Sequence, residues 1–216
     1  MKLAVFDCDG TLVDGQAAVC DAMETAFAEA GLAAPDRNAV RRIVGLSLPQ
    51  AVRRLAPEAA PESQAAAVDA YKAAFRATRE AGLIEEPLFA GIADLLCDLS
   101  DNGWSLAVAT GKSDRGLAAC LAAHGIANRF VSLQTADRHP SKPHPAMLEA
   151  ALLEAGAAAH EAVMIGDTVF DIDMARAAGV RPLGVAWGYH STRELMDAGA
   201  SAVADDAAHL KDLLNG

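Results

Sequence analysis

The chain has 216 residues, enough for one α/β core with a small insert. A formal net charge of −11 with no basic run argues against a nucleic-acid partner, and no apolar run approaches the roughly 18 residues of a membrane span. Hydrophobic residues make up 52% but aromatics only 5%, which points to a soluble, helix-rich chain with an aliphatic core.

Met1-Lys2 and the short apolar run Leu3–Phe6 are too brief for a signal-peptide core. Cys8, Cys20, Cys97 and Cys120 form no C-x-x-C pair and fit reduced thiols. A cytoplasmic protein is expected, a monomer or homodimer, with neither membrane nor nucleic acid as partner.

Leu3–Phe6 has the length of a buried strand and runs into Asp7-Cys8-Asp9-Gly10-Thr11-Leu12-Val13-Asp14. Two carboxylates two positions apart at a strand end can share a metal and divide nucleophile and acid roles. Gly10 allows a sharp backbone turn. The same residues also suit a capped strand-to-helix turn.

From 15 to 83 the pattern is helical. Val40, Ile43, Val44, Leu48, Val52 and Leu55 mark apolar helix faces, and Pro35, Pro49, Pro57 and Pro61 separate short helices. Tyr71 and Phe75 lie on a longer helix ending near Gly82. This stretch is expected to form a cap domain of residues 15–83, with a core built from 1–14 and 84–216.

Asn102-Gly103 marks a turn before a second strand, Leu106–Ala109, which ends in Thr110-Gly111-Lys112-Ser113. A hydroxyl and N–H groups at a helix start suit phosphate oxygens, and equally a helix cap. A helix from Gly116 to His124 with Gly125 behind it leads to a third strand, Phe130–Leu133.

In Ser141-Lys142-Pro143-His144-Pro145, Pro143 keeps Lys142 out of helical geometry, so its ammonium can act as a fixed cation. His139 and His144 read as solvated loop residues. A helix over 146–155 closed by Gly156 precedes the fourth strand, Ala162–Ile165, and then Gly166-Asp167-Thr168-Val169-Phe170-Asp171-Ile172-Asp173. Asp167 is a candidate metal ligand, and Asp171 can orient Lys142 or a metal-bound water. Asp173 reads as a solvating group on a helix from Met174 to Ala178. A fifth strand, Leu183–Ala186, leads to Trp187-Gly188-Tyr189-His190. Strands alternating with helices imply a parallel, doubly wound, Rossmann-like sheet.

In such a sheet the carboxyl ends of the strands converge, so these groups would form one site. A phosphate dianion repels a carboxylate about 4 Å away by roughly 4 kcal/mol per charge pair at an effective dielectric near 20. Asp7 therefore needs a cation to approach phosphorus. Mg²⁺ suits oxygen donors, and Asp7, Asp167 and the Asp9 carbonyl would supply them. Lys142 adds a charge, and Thr110 with the Gly111 N–H would hold phosphate oxygens.

These motifs, in order, resemble those of the haloacid dehalogenase-like hydrolase superfamily, and the helical insert resembles the cap of its phosphoglycolate phosphatase and β-phosphoglucomutase branch. The resemblance implies a Mg²⁺-dependent phosphatase acting on a small phosphorylated metabolite, with 2-phosphoglycolate the first candidate. It implies that Asp7 forms an aspartyl-phosphate and that Asp9 protonates the leaving oxygen and then activates water. Asp9 argues against dehalogenation. A sugar phosphomutase is the alternative enzyme, and a non-catalytic binding module the alternative class. Arg42, Gly45 and Ser47 resemble a substrate-specificity loop, with Arg41 or Arg42 as a contact to a substrate anion. Trp187–His190 resembles a segment at the site rim. Hinges are expected at Asp14-Gly15 and from Gly82 to Pro87.

Overall fold

The computed structural model describes residues 2–215. β1 (Lys2–Phe6), β2 (Trp104–Thr110), β3 (Phe130–Thr135), β4 (Ala162–Gly166), β5 (Arg181–Val185) and β6 (Ala202–Ala204) form one sheet in the order β3-β2-β1-β4-β5-β6. Every neighbouring pair is parallel.

β1 shows why the strand segments read as continuous apolar runs. Leu3 and Val5 face one side of the sheet, Ala4 and Phe6 the other, and all four are buried. On the Ala4 and Phe6 side pack α5 (Ile92–Asp101), α6 (Asp114–Ala123) and α10 (Ala207–Asn215), through Leu96, Leu117 and Leu210 among others. On the Leu3 and Val5 side pack α7 (Ala146–Ala155) and α8 (Val169–Ala177), through Met147, Leu148 and Met174. This is the doubly wound, Rossmann-like α/β architecture.

Helices α1 (Gln16–Glu29), α2 (Arg37–Arg42), α3 (Leu48–Leu55) and α4 (Pro61–Glu80) lie between β1 and α5 in the chain. They close around their own cluster, with Val19, Met23, Phe27, Val40, Val52 and Val68 at its centre. Asp36 starts α2 by accepting the Ala39 N–H at 2.9 Å, and Pro49 and Pro61 sit in the first turns of α3 and α4, where a missing N–H costs nothing.

Several elements depart from the sequence expectation, among them α8 and β6. The helix after β4 begins at Val169 rather than Met174, because the Asp171 carboxylate accepts both the N–H and the hydroxyl of Thr168 (3.1 and 2.7 Å) and so closes the first turn. β6 was not anticipated. Its Ala-Val-Ala run is too short for a periodic signal and becomes a strand by pairing with β5. α9 (Thr192–Ala198) begins at Ser191, whose hydroxyl accepts the Glu194 N–H while Glu194 accepts the Ser191 N–H.

Candidate active site

The carboxyl ends of β1, β2 and β4 lie side by side because β1 is hydrogen-bonded to both neighbours. Asp7 follows β1, Thr110 ends β2 and Asp167 follows β4; the loop between β3 and α7 delivers Lys142 to the same point. All four residues are buried, with Lys142, Asp7 and Asp167 at 0% exposure.

The contacts are specific. Asp7 Oδ1 accepts the Cys8 N–H at 2.7 Å and lies 2.9 Å from Lys142 Nζ. Lys142 Nζ also donates to Asp171 Oδ1 at 2.6 Å. Asp7 Oδ2 is buried without a hydrogen-bond partner among the described residues. Asp167 Oδ1 accepts the Thr11 hydroxyl at 2.8 Å, and its Oδ2 accepts the Tyr189 N–H at 2.9 Å. The Thr110 hydroxyl accepts the Lys112 N–H at 3.2 Å, which leaves its own proton free to donate.

Carboxylate oxygens from Asp7, Asp167 and Asp171 lie within 4.8 Å of one another. This crowding is electrostatically unfavourable without a cation. Burial pushes the Asp7 carboxyl up to about 7, against the pull of Lys142, with Asp171 and Asp9 adding to the rise. Burial, then the charges of Asp171 and Asp7, hold Asp167 well above the usual carboxylate range. Asp171 is already committed, Oδ1 to Lys142 and Oδ2 to Thr168. Asp7 Oδ2 is not, and three buried carboxylates answered here by the Lys142 ammonium form a donor set that suits a further, hard divalent cation. Burial opposes the Lys142 charge, but Asp171 and Asp7 keep its ammonium above the ordinary lysine range.

Two glycines make the close packing possible. A Cβ on Gly10, whose φ is +83°, would stand 2.2 Å from Asp167 Oδ2, and one on Gly188 would stand 2.2 Å from Asp167 Cβ. Any side chain at either position would displace Asp167.

The helical layer closes over this floor. A Cβ on Gly45 would sit 3.8 Å from Asp7 Oδ2, and one on Gly111 would meet the Gly45 and Leu46 carbonyl oxygens at 2.6 Å. The Ser47 N–H donates to Ser141 Oγ at 2.8 Å. Between the layers lies a cavity of about 550 Å³, bordered by Met23, Tyr71, Phe75 and Gly45 among others. Among the described residues its border carries Lys72, Arg76, Arg79, Lys112 and Arg115 with the acids Asp9 and Asp137, and Glu86 pairs with Lys112 and Arg79 from outside the lining.

The structure thus brings together Asp7, Asp9, Thr110, Gly111, Lys142, Asp167 and Asp171, with Gly45 and Ser47 on the cavity wall. It does not bring Arg42 there. The Arg42 guanidinium is turned outward onto the Glu194 carboxylate, and Arg42 is absent from the cavity lining. The Asp9 carboxylate lies outside the three-carboxylate cluster and pairs with Lys112 instead. His190 uses both ring nitrogens between the layers: Nδ1 accepts the Val169 N–H and Nε2–H donates to the Arg42 carbonyl, each at 3.1 Å. Lys112, Thr11, Tyr189 and Glu86 were not singled out for the chemistry. Thr11 stands inside the Asp-x-Asp-Gly-Thr run, a signal the sequence carries; Glu86, in the segment after the helical insert, has none.

The profile of the haloacid dehalogenase-like hydrolases matches residues 4–185. The chain is 38% identical over 94% of its length to "Probable phosphatase IndB" of Dickeya dadantii, covering 89% of that protein. It is 34% identical over 99% of its length to a phosphoglycolate phosphatase of Rhodospirillum rubrum, covering 90% of it. A crystal structure of a predicted phosphatase from Clostridium acetobutylicum superposes with a TM-score of 0.89, at 25% identity, over 99% of this chain and 98% of that one.

Proposed function

Because this chain belongs to the haloacid dehalogenase-like hydrolases, as a phosphatase of the phosphoglycolate phosphatase and β-phosphoglucomutase-like branch, we propose that it hydrolyses a small phosphorylated metabolite in a Mg²⁺-dependent reaction through an aspartyl-phosphate on Asp7. The observation that carries the proposal is the state of Asp7: one oxygen is pinned by Lys142 and the Cys8 N–H, while the other is buried, unbonded and directed toward the roof formed by Gly45. A carboxylate held in this way is oriented for attack.

In the proposed reaction Asp7 Oδ2 forms the bond to phosphorus and the ester P–O bond breaks. Asp9 gives its proton to the departing oxygen. Water then attacks the aspartyl-phosphate, Asp9 takes up a proton, and inorganic phosphate leaves. Lys142 supplies positive charge at the transferring group, and the Thr110 hydroxyl with the Gly111 N–H donates to its oxygens. Asp7 and Asp167, with the Asp9 carbonyl, would hold Mg²⁺; when bound it supplies the charge that lets a phosphate dianion sit beside Asp7. We assign residues 15–83 as the cap, moving against the core of 1–14 and 84–216.

2-Phosphoglycolate is the first substrate to examine, since Lys72 and Arg76 on the cavity border can meet its carboxylate. The test is hydrolysis of p-nitrophenyl phosphate and of a panel of phosphorylated metabolites, with Mg²⁺, after EDTA, and after Mg²⁺ is restored. Turnover that EDTA abolishes and Mg²⁺ restores is expected. Lack of turnover on every ester would overturn the proposal. Activity that requires a sugar bisphosphate would indicate a mutase.

A further inference from the structure

We infer that Lys112 is a positioning residue for Asp9, and that Glu86 holds Lys112 in place for that task. The inference rests on the acid–base role proposed for Asp9.

Lys112 Nζ donates to Asp9 Oδ1 and to Glu86 Oε1, each at 2.7 Å. Nζ also lies 5.7 Å from the centroid of the Phe75 ring. An ammonium has three donors, and two of them are committed to carboxylates. Lys112 is thus unlike Lys142, which faces the nucleophile. All three side chains of the triad are nearly covered, with Lys112, Asp9 and Glu86 at 8%, 11% and 6% exposure, so these bonds compete little with water.

Glu86 is itself anchored. The His124 Nε2–H donates to its carbonyl at 2.7 Å, and the adjacent Pro87 carbonyl accepts the Asp14 N–H at 2.8 Å. Its other carboxylate oxygen lies 3.7 Å from Arg79 Nη2 on helix α4. Charges therefore alternate from Asp9 through Lys112 and Glu86 to Arg79. Gly15 leaves room for this chain: a Cβ there would stand 3.1 Å from Asp9 Oδ1 and 3.3 Å from Glu86 Oε1.

The chemical consequence follows from the occupied oxygen. With Oδ1 fixed on Lys112, the Asp9 carboxyl cannot rotate freely, and Oδ2 is left to carry the proton toward the leaving group. When the ester P–O bond breaks, the departing oxygen takes that proton and Asp9 becomes the carboxylate that Lys112 already faces. An ester whose leaving group is stable as an anion does not need this step.

The experiment compares kcat/KM, which reports phosphoryl transfer to Asp7, for two esters. One is p-nitrophenyl phosphate, whose phenolate departs without a proton. The other is the alkyl phosphate of the metabolite panel that the wild type turns over best. For Lys112→Met the alkyl ester is expected to lose about 10- to 100-fold, part of the roughly 10²–10⁴ that general acid catalysis contributes. p-Nitrophenyl phosphate should stay within about threefold, and half-saturation by Mg²⁺ should not move. Equal losses on both esters, or no loss on either, overturn the inference. If Lys112→Met does not fold, Glu86→Gln decides by the same comparison: a loss confined to the alkyl ester supports the inference, and an unchanged ratio overturns it. If the wild type hydrolyses neither ester, it is the phosphatase reading that has failed, and this inference falls with it.

Discussion

At the scale of single residues, the site depends on buried charges that are only partly compensated by their neighbours. Lys142 is shared between Asp7 and Asp171, and Asp167 is held by one hydroxyl and one N–H. Removing one member of such a set leaves the others unpaired, which is costlier than the contact alone would indicate. Asp7→Asn keeps the shape while removing the nucleophile; turnover is expected to drop by more than about 10³-fold, as for other covalent nucleophiles. No radioactive phosphate should remain on the denatured variant after mixing with labelled substrate, and retained turnover would take Asp7 out of the mechanism. Asp7 and Asp167 are legible in the sequence because each carboxylate follows a strand signal, and Lys142 because Pro143 constrains its backbone. Gly188 and Lys112 are not. Gly188 matters because its Cα lies against Asp167, and Lys112 because its ammonium lies between two carboxylates from distant segments.

At the scale of elements, α9 links helix capping to the contact between layers. Glu194 accepts the Ser191 N–H at its own helix start and pairs with Arg42 from α2. The Arg42 guanidinium first, then Ser191, hold the Glu194 carboxyl below the usual range, whose unperturbed value is 4.5. With the folded-state value depressed, the unfolded chain binds the proton more readily. The stabilisation is therefore complete above the unfolded value and fades as pH falls below it. Solvent screens this half-exposed pair, so it contributes less than about 1 kcal/mol. Melting curves in EDTA should show Glu194→Gln slightly less stable than the wild type at neutral pH. That deficit should shrink as pH falls from about 5 to about 3; a deficit independent of pH would show that packing, not charge, is responsible. The elements themselves were legible where apolar runs were long enough, as in β1, β2 and β4. The early start of α8 and the existence of β6 were not, since one comes from a side-chain contact of Asp171 and the other from pairing with β5.

At the scale of the whole molecule, the two layers meet across Gly111, whose missing side chain admits the Gly45 and Leu46 carbonyls. In Gly111→Ala the clash falls between the two layers and not within the core, so the core should fold normally. kcat/KM is expected to fall at least about 10-fold, given the sensitivity of catalysis to displacements near 1 Å. Small-angle scattering should give a larger radius of gyration than the wild type. An unchanged kcat/KM would show that this junction is not part of the active geometry. The amino-acid order by itself determined the parallel sheet, the helical insert and the acids, hydroxyl and lysine of the floor, because hydrophobic period and turn chemistry are local and strand tips in this topology converge. Only the tertiary structure decided which cations border the cavity, that Arg42 turns to Glu194, and that Lys112 bridges Asp9 and Glu86. Those outcomes depend on how two separately patterned layers dock, and docking is set by contacts between residues far apart in the chain.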